Sequence, residues 1–142
     1  NELQNDISIF VNMIKDCSIF AEALEQKLFS DKYKYAGTTD CIGWYISNQK
    51  YLDKRKPKFT KSSHVILDWK TSKTIYDDYF LQLAAYIMAF YEMTGIKLDG
   101  AAIVQVRDGK LKIQEKTYDD LQCYFEAFKH CIELYKYSKE GC

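Results

Sequence analysis

HVILDWKTSK, residues 64–73, is the stretch on which the fold turns. Val65, Ile66 and Leu67 form a short apolar run, the kind that fills a central strand covered on both faces. The run ends at once in Asp68, Trp69 and Lys70. A carboxylate and an ammonium at the tip of a buried strand are costly to desolvate. Charges at such a place pair, hold a metal or take part in chemistry. Residues two apart on a strand share a face. Asp68 and Lys70 therefore project together, and Trp69 points the other way, toward a packed layer.

Downstream of this strand, the apolar spacing predicts a helix from about Tyr76 to Thr94, with Gly95 as its stop. Residues 100–107 and 110–116 read as a hairpin, because Asp108-Gly109 is a strong two-residue turn signal. A last helix begins at Thr117, with Asp120 three positions on as a variant of the capping box. Its apolar stripe is Leu121, Phe125, Phe128, Ile132 and Tyr135. Upstream, residues 3–22 read as a helix whose stripe (Ile7, Phe10, Ile14, Cys17, Ala21, Leu24) recurs at steps of three and four. Leu28-Phe29 and then Tyr33 to Tyr45 read as two strands joined by the polar turn Ser30-Asp31-Lys32, with Gly37 and Gly43 as breaks. KYLDKRKPKFTKSS, residues 50–63, is polar, holds the only proline and reads as a loop or a frayed hairpin tip. The order α-β-β-β-α-β-β-α implies an α/β fold: one domain over 1–142, a mixed sheet flanked by helices.

The chain of 142 residues carries 20 basic and 20 acidic side chains. Any nucleic-acid binding must then rest on local patches rather than net charge. No apolar run reaches the roughly 18 residues of a membrane span, so no membrane association is expected. The start, NELQNDISIF, is polar and then amphipathic, unlike a signal peptide. The first residue is Asn, so a longer chain remains open. Five cysteines, at 17, 41, 123, 131 and 142, form no C-x-x-C pair. That spacing argues against zinc or an iron–sulfur cluster and for mostly buried thiols in a reducing, intracellular compartment, with Cys142 exposed.

A second acid, Asp40, lies in YAGTTDCIG, residues 35–43. If its strand pairs with that of Asp68, two carboxylates meet at one spot, and they repel unless a cation lies between them. Oxygen ligands so arranged suit Mg²⁺ or Mn²⁺, one or two ions. Lys70 alongside would orient or deprotonate a water, or hold negative charge developing on a phosphate. Gln82 and Tyr86, four apart, share one face of the following helix. The structural alternatives are an ion pair at a strand end for Asp68 and Lys70, a turn aspartate for Asp40, and a helix-surface pair for Gln82 and Tyr86. Between Lys50 and Lys61, the cations Lys54, Arg55, Lys56 and Lys58, interleaved with Tyr51 and Phe59, read either as a solvated loop or as a basic arm for a nucleic-acid strand. His64 and His130 read as structural.

The set G-T-T-D (37–40), D-W-K (68–70) and Q-x-x-x-Y (82–86) resembles the PD-(D/E)xK nuclease superfamily, and within it the RecB-type exonucleases, including phage and mitochondrial single-strand DNA exonucleases. The resemblance spans about residues 22–138, with Thr39 where the superfamily name expects proline. It implies a restriction-endonuclease-like core and a Mg²⁺-dependent deoxyribonuclease acting on single-stranded or free-ended DNA in repair, recombination or phage DNA metabolism. It implies that Asp40, Asp68 and the main-chain carbonyl of Trp69 bind metal, that Lys70 is the catalytic lysine, and that Gln82 and Tyr86 are the helix motif behind the site. An upstream acid completes the set; Glu25 matches best, with Glu22 as the alternative. The iron–sulfur cysteines of some relatives are absent. So is the N-terminal helical region of longer relatives, which points to a partner protein or a further N-terminal segment. An endonuclease of the same fold and a non-catalytic DNA-binding module are the competing readings, and the oligomeric state stays open.

Overall fold

A computed structural model describes residues 2–75 and 77–140, with Glu2 described by its backbone alone. In chain order the elements are α1 (Glu2–Asp16), β1 (Phe20–Ser30), β2 (Tyr35–Tyr45), a 3-10 turn (Gln49–Tyr51), β3 (Ser63–Lys70), α2 (Asp77–Thr94), β4 (Gly100–Arg107), β5 (Lys110–Thr117) and α3 (Tyr118–Glu140). The strands form one five-stranded sheet in the order β1-β2-β3-β4-β5. β3 and β4 are parallel and every other pair is antiparallel. Parallel neighbours need a long crossover, and α2 supplies it. The fold is α/β, a mixed sheet flanked by helices.

β3 lies at the centre, and Ser63 through Asp68 are all buried. That is the burial its apolar run requires. On one face Ile42, Ile66 and Ile103 pack against Leu83 and Ile87 of α2 and against Leu121 and Phe125 of α3. On the other, Cys41, Leu67, Val104 and Ile113 pack against Met13 of α1 and Cys17 just beyond it, and against Tyr51, Leu52 and Phe59 of the loop after β2. At about 25 cal/mol per Å² of apolar surface, each fully covered Leu or Ile contributes roughly 1.5–3 kcal/mol.

The first helix departs from expectation. It ends at Asp16, not at residue 22. Ser18 sits at φ 49°, its N–H donates to Lys15 O at 3.2 Å, and the Ile19 N–H donates to Ile14 O at 3.0 Å. These two bonds make a Schellman cap, whose left-handed position is usually glycine. Ala21 and Leu24 therefore belong to β1, where Leu24 is 66% exposed. β1 itself carries a bulge between Ala21 and Ala23.

Other termini follow the sequence. Asp108 and Gly109 both adopt positive φ, 52° and 71°, as a tight hairpin turn demands. The Thr117 N–H donates to Asp120 Oδ2 at 2.9 Å, and the Asp120 N–H donates back to Thr117 Oγ1 at 3.1 Å, so the capping box is reciprocal. Gly95 takes φ 76° past the end of α2; the expected start at Tyr76 lies outside the described residues. The stripe of α3 fades after Phe128, and Tyr135 is exposed. Cys17 and Cys41 are buried, and burial pushes their thiols up to about 12 and about 11. Cys123 and Cys131 are exposed, because they fall on the outer side of α3; Cys142 is outside the described residues. Among the described residues no helix is long and apolar enough to cross a membrane.

Candidate active site

Asp40 and Asp68 come together because of register. Cys41 pairs with Leu67 across β2 and β3, so the next step along both strands sets Asp40 beside Asp68. Asp40 Oδ2 accepts a hydrogen bond from the Trp69 backbone N–H at 2.9 Å. Lys70 shares the face of Asp68, and its Nζ lies 3.0 Å from Asp68 Oδ2. Its approach is too oblique for a hydrogen bond: the buried Oδ2 has an ionic neighbour but no hydrogen-bond partner among the described residues. Burial pushes the Asp68 carboxyl up to about 6; Lys70 pulls it down, and the adjoining Asp40 carboxylate raises it again. Trp69 faces the other way as expected, its indole edge-on to Phe10 at 5.1 Å.

Tyr86 reaches the same cluster from α2. It is 8% exposed, and burial first, then the Asp68 charge, raise its hydroxyl above the usual phenol range. The ring end passes close to the backbone of β2, so that a Cβ on Gly37 would come within 2.5 Å of Tyr86 Cε1. Gly37 is thus the slot that admits Tyr86. Gln82 is not drawn in: its side chain is exposed. Lys70 instead stands 4.7 Å over the ring of Tyr79, a residue the sequence reading passed over. The available signal was spacing, because Tyr79 lies seven residues before Tyr86 on the same side of α2.

The upstream acids fare differently. Leu24 pairs with Cys41 and Gln26 with Thr39, which puts Glu25 opposite Asp40 in a row with Asp68. Its φ of 50° breaks the strand's alternation and leaves the side chain exposed. Among the described residues no group of three His, Cys, Asp or Glu side chains gathers closely enough to hold an ion. Glu22 is engaged elsewhere. It accepts from Trp44 Nε1 at 3.3 Å and lies 3.2 Å from His64 Nε2, with His64 stacked on Trp44 at 4.6 Å. This clamp is four residues, about 13 Å of strand, from Asp68. His130 is solvent-exposed.

The basic loop lies across the α1 face, opposite the face that presents Asp68 and Lys70. Tyr51 and Phe59 are core residues there, not stacking platforms. Lys58 is 2.6 Å from Asp120, and Arg55 is 4.0 Å from Asp53; Lys54 and Lys56 are exposed.

Two carboxyls and an ammonium thus converge at the C-terminal end of a central strand. A buried carboxylate oxygen without a hydrogen bond, beside a second carboxylate, is a donor set suited to a hard divalent cation. Mg²⁺ is commonly held by one or two carboxylates, with waters and substrate phosphate completing its shell. The residues present fit such an ion.

No family model matches the chain, and no curated protein matches it. Among solved structures, a crystal structure of SSO0001 aligns with a TM-score of 0.41 at 12% identity, covering 89% of this chain and 57% of that one.

Proposed function

We propose that the chain is a metal-dependent deoxyribonuclease with the restriction-endonuclease-like core of the PD-(D/E)xK superfamily, acting as a RecB-type exonuclease on single-stranded or free-ended DNA. The single observation behind this reading is the convergence of Asp40 and Asp68, from different strands, with Lys70 Nζ 3.0 Å from Asp68. An ion pair alone would need only one acid. A second carboxylate pressed against the first costs free energy, a cost that a cation offsets.

Each residue then has a defined part. Asp40 and Asp68 present oxygens to Mg²⁺ or Mn²⁺. The Trp69 N–H fixes the orientation of Asp40 through its bond to Oδ2. A bound cation supplies a more acidic water and screens charge on the phosphate. Lys70 donates toward a phosphate oxygen or holds the attacking water, with Tyr79 beneath its ammonium. Water attacks phosphorus in line and gives up a proton to solvent, the bond to the 3′ oxygen breaks, and the leaving oxygen takes up a proton from solvent. Tyr86 holds the wall behind Asp68, which keeps bulk water from the far side.

The test is incubation of labelled linear and circular DNA, single- and double-stranded, with Mg²⁺, Mn²⁺ or EDTA. Shortening of linear strands with either metal, none in EDTA, and sparing of circles are the expected results. Cutting of circles would instead select an endonuclease. Lys70→Met folds, binds DNA and does not cleave; cleavage by this variant at the wild-type rate overturns the role given to Lys70.

A further inference from the structure

The sequence places its densest run of cations in the loop of residues 50–61, yet that loop covers the wrong face of the sheet for Asp68. A different set of cations gathers beside Lys70 at the edge of the right one, where Lys110 and Lys112 on β5 also border the side covered by α1 and the loop. Lys70 pairs in register with Gln105 on β4, and Gln105 pairs with Lys112 on β5. Partners in register share a face, so the three form a row across the sheet, spanning about 10 Å at the usual strand spacing. Arg107 and Lys110 stand at the next same-face step, at the tip of the hairpin. Lys73 follows β3 and closes the other side. Together Lys73, Gln105, Arg107, Asp108, Lys110 and Lys112 line a cleft of about 280 Å³.

Its cations are largely uncommitted. Lys73 and Lys110 make no ion pair among the described residues. Arg107 lies 3.6 Å from its exposed neighbour Asp108, and Lys112 lies 3.6 Å from Asp53; exposed pairs of this kind hold their partners by no more than about 1 kcal/mol. The cleft is also shaped from below. Gln105 Nε2 donates to Ser72 O at 2.7 Å and to Lys73 O at 3.0 Å, which fastens the segment after β3 to β4 and fixes where Lys73 enters. A glutamine spent on holding two main-chain carbonyls at the rim gives the cleft a defined wall rather than a loose lysine fringe.

We propose that this cleft is the track along which the phosphates of one polynucleotide strand run to or from Lys70. The proposal rests on the nuclease reading of the site and extends it to the substrate's path. Four cations against two exposed carboxylates, Asp108 and Asp53, leave a net positive cleft that favours a polyanion. A cleft below the roughly 300–1,000 Å³ of a pocket for a drug-sized ligand takes a phosphate and sugar of a single strand, not the width of a duplex. The row from Lys70 through Gln105 to Lys112 makes the path continuous with the acids, which the loop on the opposite face does not.

The experiment measures binding of a fluorescent oligothymidylate to the full chain in EDTA across a salt series. The triple variant Lys73→Gln/Arg107→Gln/Lys110→Gln is compared with the loop variant Lys54→Gln/Lys56→Gln. Removing three phosphate contacts lowers the slope of log K against log salt by about 2, at about 0.7 per contact on single strands, and weakens binding about tenfold or more at moderate salt. The loop variant changes binding less than twofold. Wild-type affinity and slope in the triple variant, or an equal loss in the loop variant, overturns the track. Thermal melts report whether the triple variant is folded; if it is not, Lys73→Gln and Lys110→Gln singly, each expected to lower the slope by about 0.7, carry the test. Adding Mg²⁺ to the same wild-type samples separates the two ideas. Binding that depends on the cleft without shortening of the oligonucleotide refutes the nuclease, whereas shortening with no dependence on the cleft refutes the track.

Discussion

Asp40 Oδ2 accepts a hydrogen bond from the Trp69 N–H at 2.9 Å, so the acid of β2 is tethered to the very strand that carries Asp68 and Lys70. The tether has two consequences that different substitutions separate. Asp40→Asn keeps an oxygen for the Trp69 N–H and removes the charge. Asp40→Ala removes both and leaves a half-buried donor without a partner, at a cost of about 1–3 kcal/mol. On the proposed reading both variants lose metal-dependent cleavage; only Asp40→Ala should lose stability in urea unfolding. Equal stability of the two would show that the hydrogen bond carries no weight.

Asp68 gives the metal-free protein an unusual dependence on pH. Its carboxyl is raised from an ordinary 3.8 to about 6, first by burial. Between these values the folded chain keeps a proton that the unfolded chain has already released. The folded state then binds more protons, so stability falls as pH rises from about 4 to about 6, by on the order of 3 kcal/mol. Below that window the contribution is whole, and above it the penalty is constant. Asp68→Asn removes this component, and urea midpoints of the two proteins in EDTA at pH 4 to 8 isolate it as a difference. Saturating Mg²⁺ restores stability to the wild type above pH 6 by mass action and does nothing for the variant. Parallel pH profiles in EDTA would refute the assignment.

Gly37 is required for its size alone. Its backbone is not left-handed, so an alanine is tolerated conformationally; the obstacle is the Tyr86 ring, 2.5 Å from the added carbon. Gly37→Ala should cost about 1–3 kcal/mol by overpacking and reduce activity by displacing Tyr86 from Asp68. Tyr86→Leu made in the same chain relieves the clash, so the two changes couple by about 1 kcal/mol or more in a double-mutant cycle. Additive losses would place the strain elsewhere.

How far the sequence reveals this arrangement depends on how local each signal is. The acid–lysine pair on β3, the Asp108-Gly109 turn and the Thr117–Asp120 cap are set by neighbours in the chain, and each was legible. The end of α1 was not, because Ser18 takes a left-handed position without the glycine that usually marks it, and the apolar spacing continues through it into β1. The face of the basic loop was hidden for a different reason. Tyr51, Leu52 and Phe59 decide it by burying against α1 and the sheet, and aromatic residues among lysines look the same whether they pack inward or stack outward. The cleft beside Lys70 was invisible because its cations come from β3's exit, β4 and β5, and only parallel pairing of β3 with β4 aligns them.

Glu115 holds that loop in place and supplies a last prediction, one independent of catalysis. It is 7% exposed and accepts from Tyr45 Oη at 2.5 Å, Ser47 Oγ at 2.6 Å and the Lys58 N–H at 3.0 Å. Burial, and then the Glu115 carboxylate, raise the Tyr45 hydroxyl above its usual range, which keeps it a donor. Glu115→Ala leaves three donors unsatisfied beside the second core and should cost about 3–5 kcal/mol, the range for breaking a buried charged network from one side. Glu115→Gln keeps one acceptor oxygen and should cost less than half as much. Hydrogen exchange resolves the site of the damage: amides of residues 46–62 lose protection first in Glu115→Ala, while those of β3 and β4 keep theirs. Uniform loss across the sheet would mean that Glu115 supports the core as a whole and not the loop.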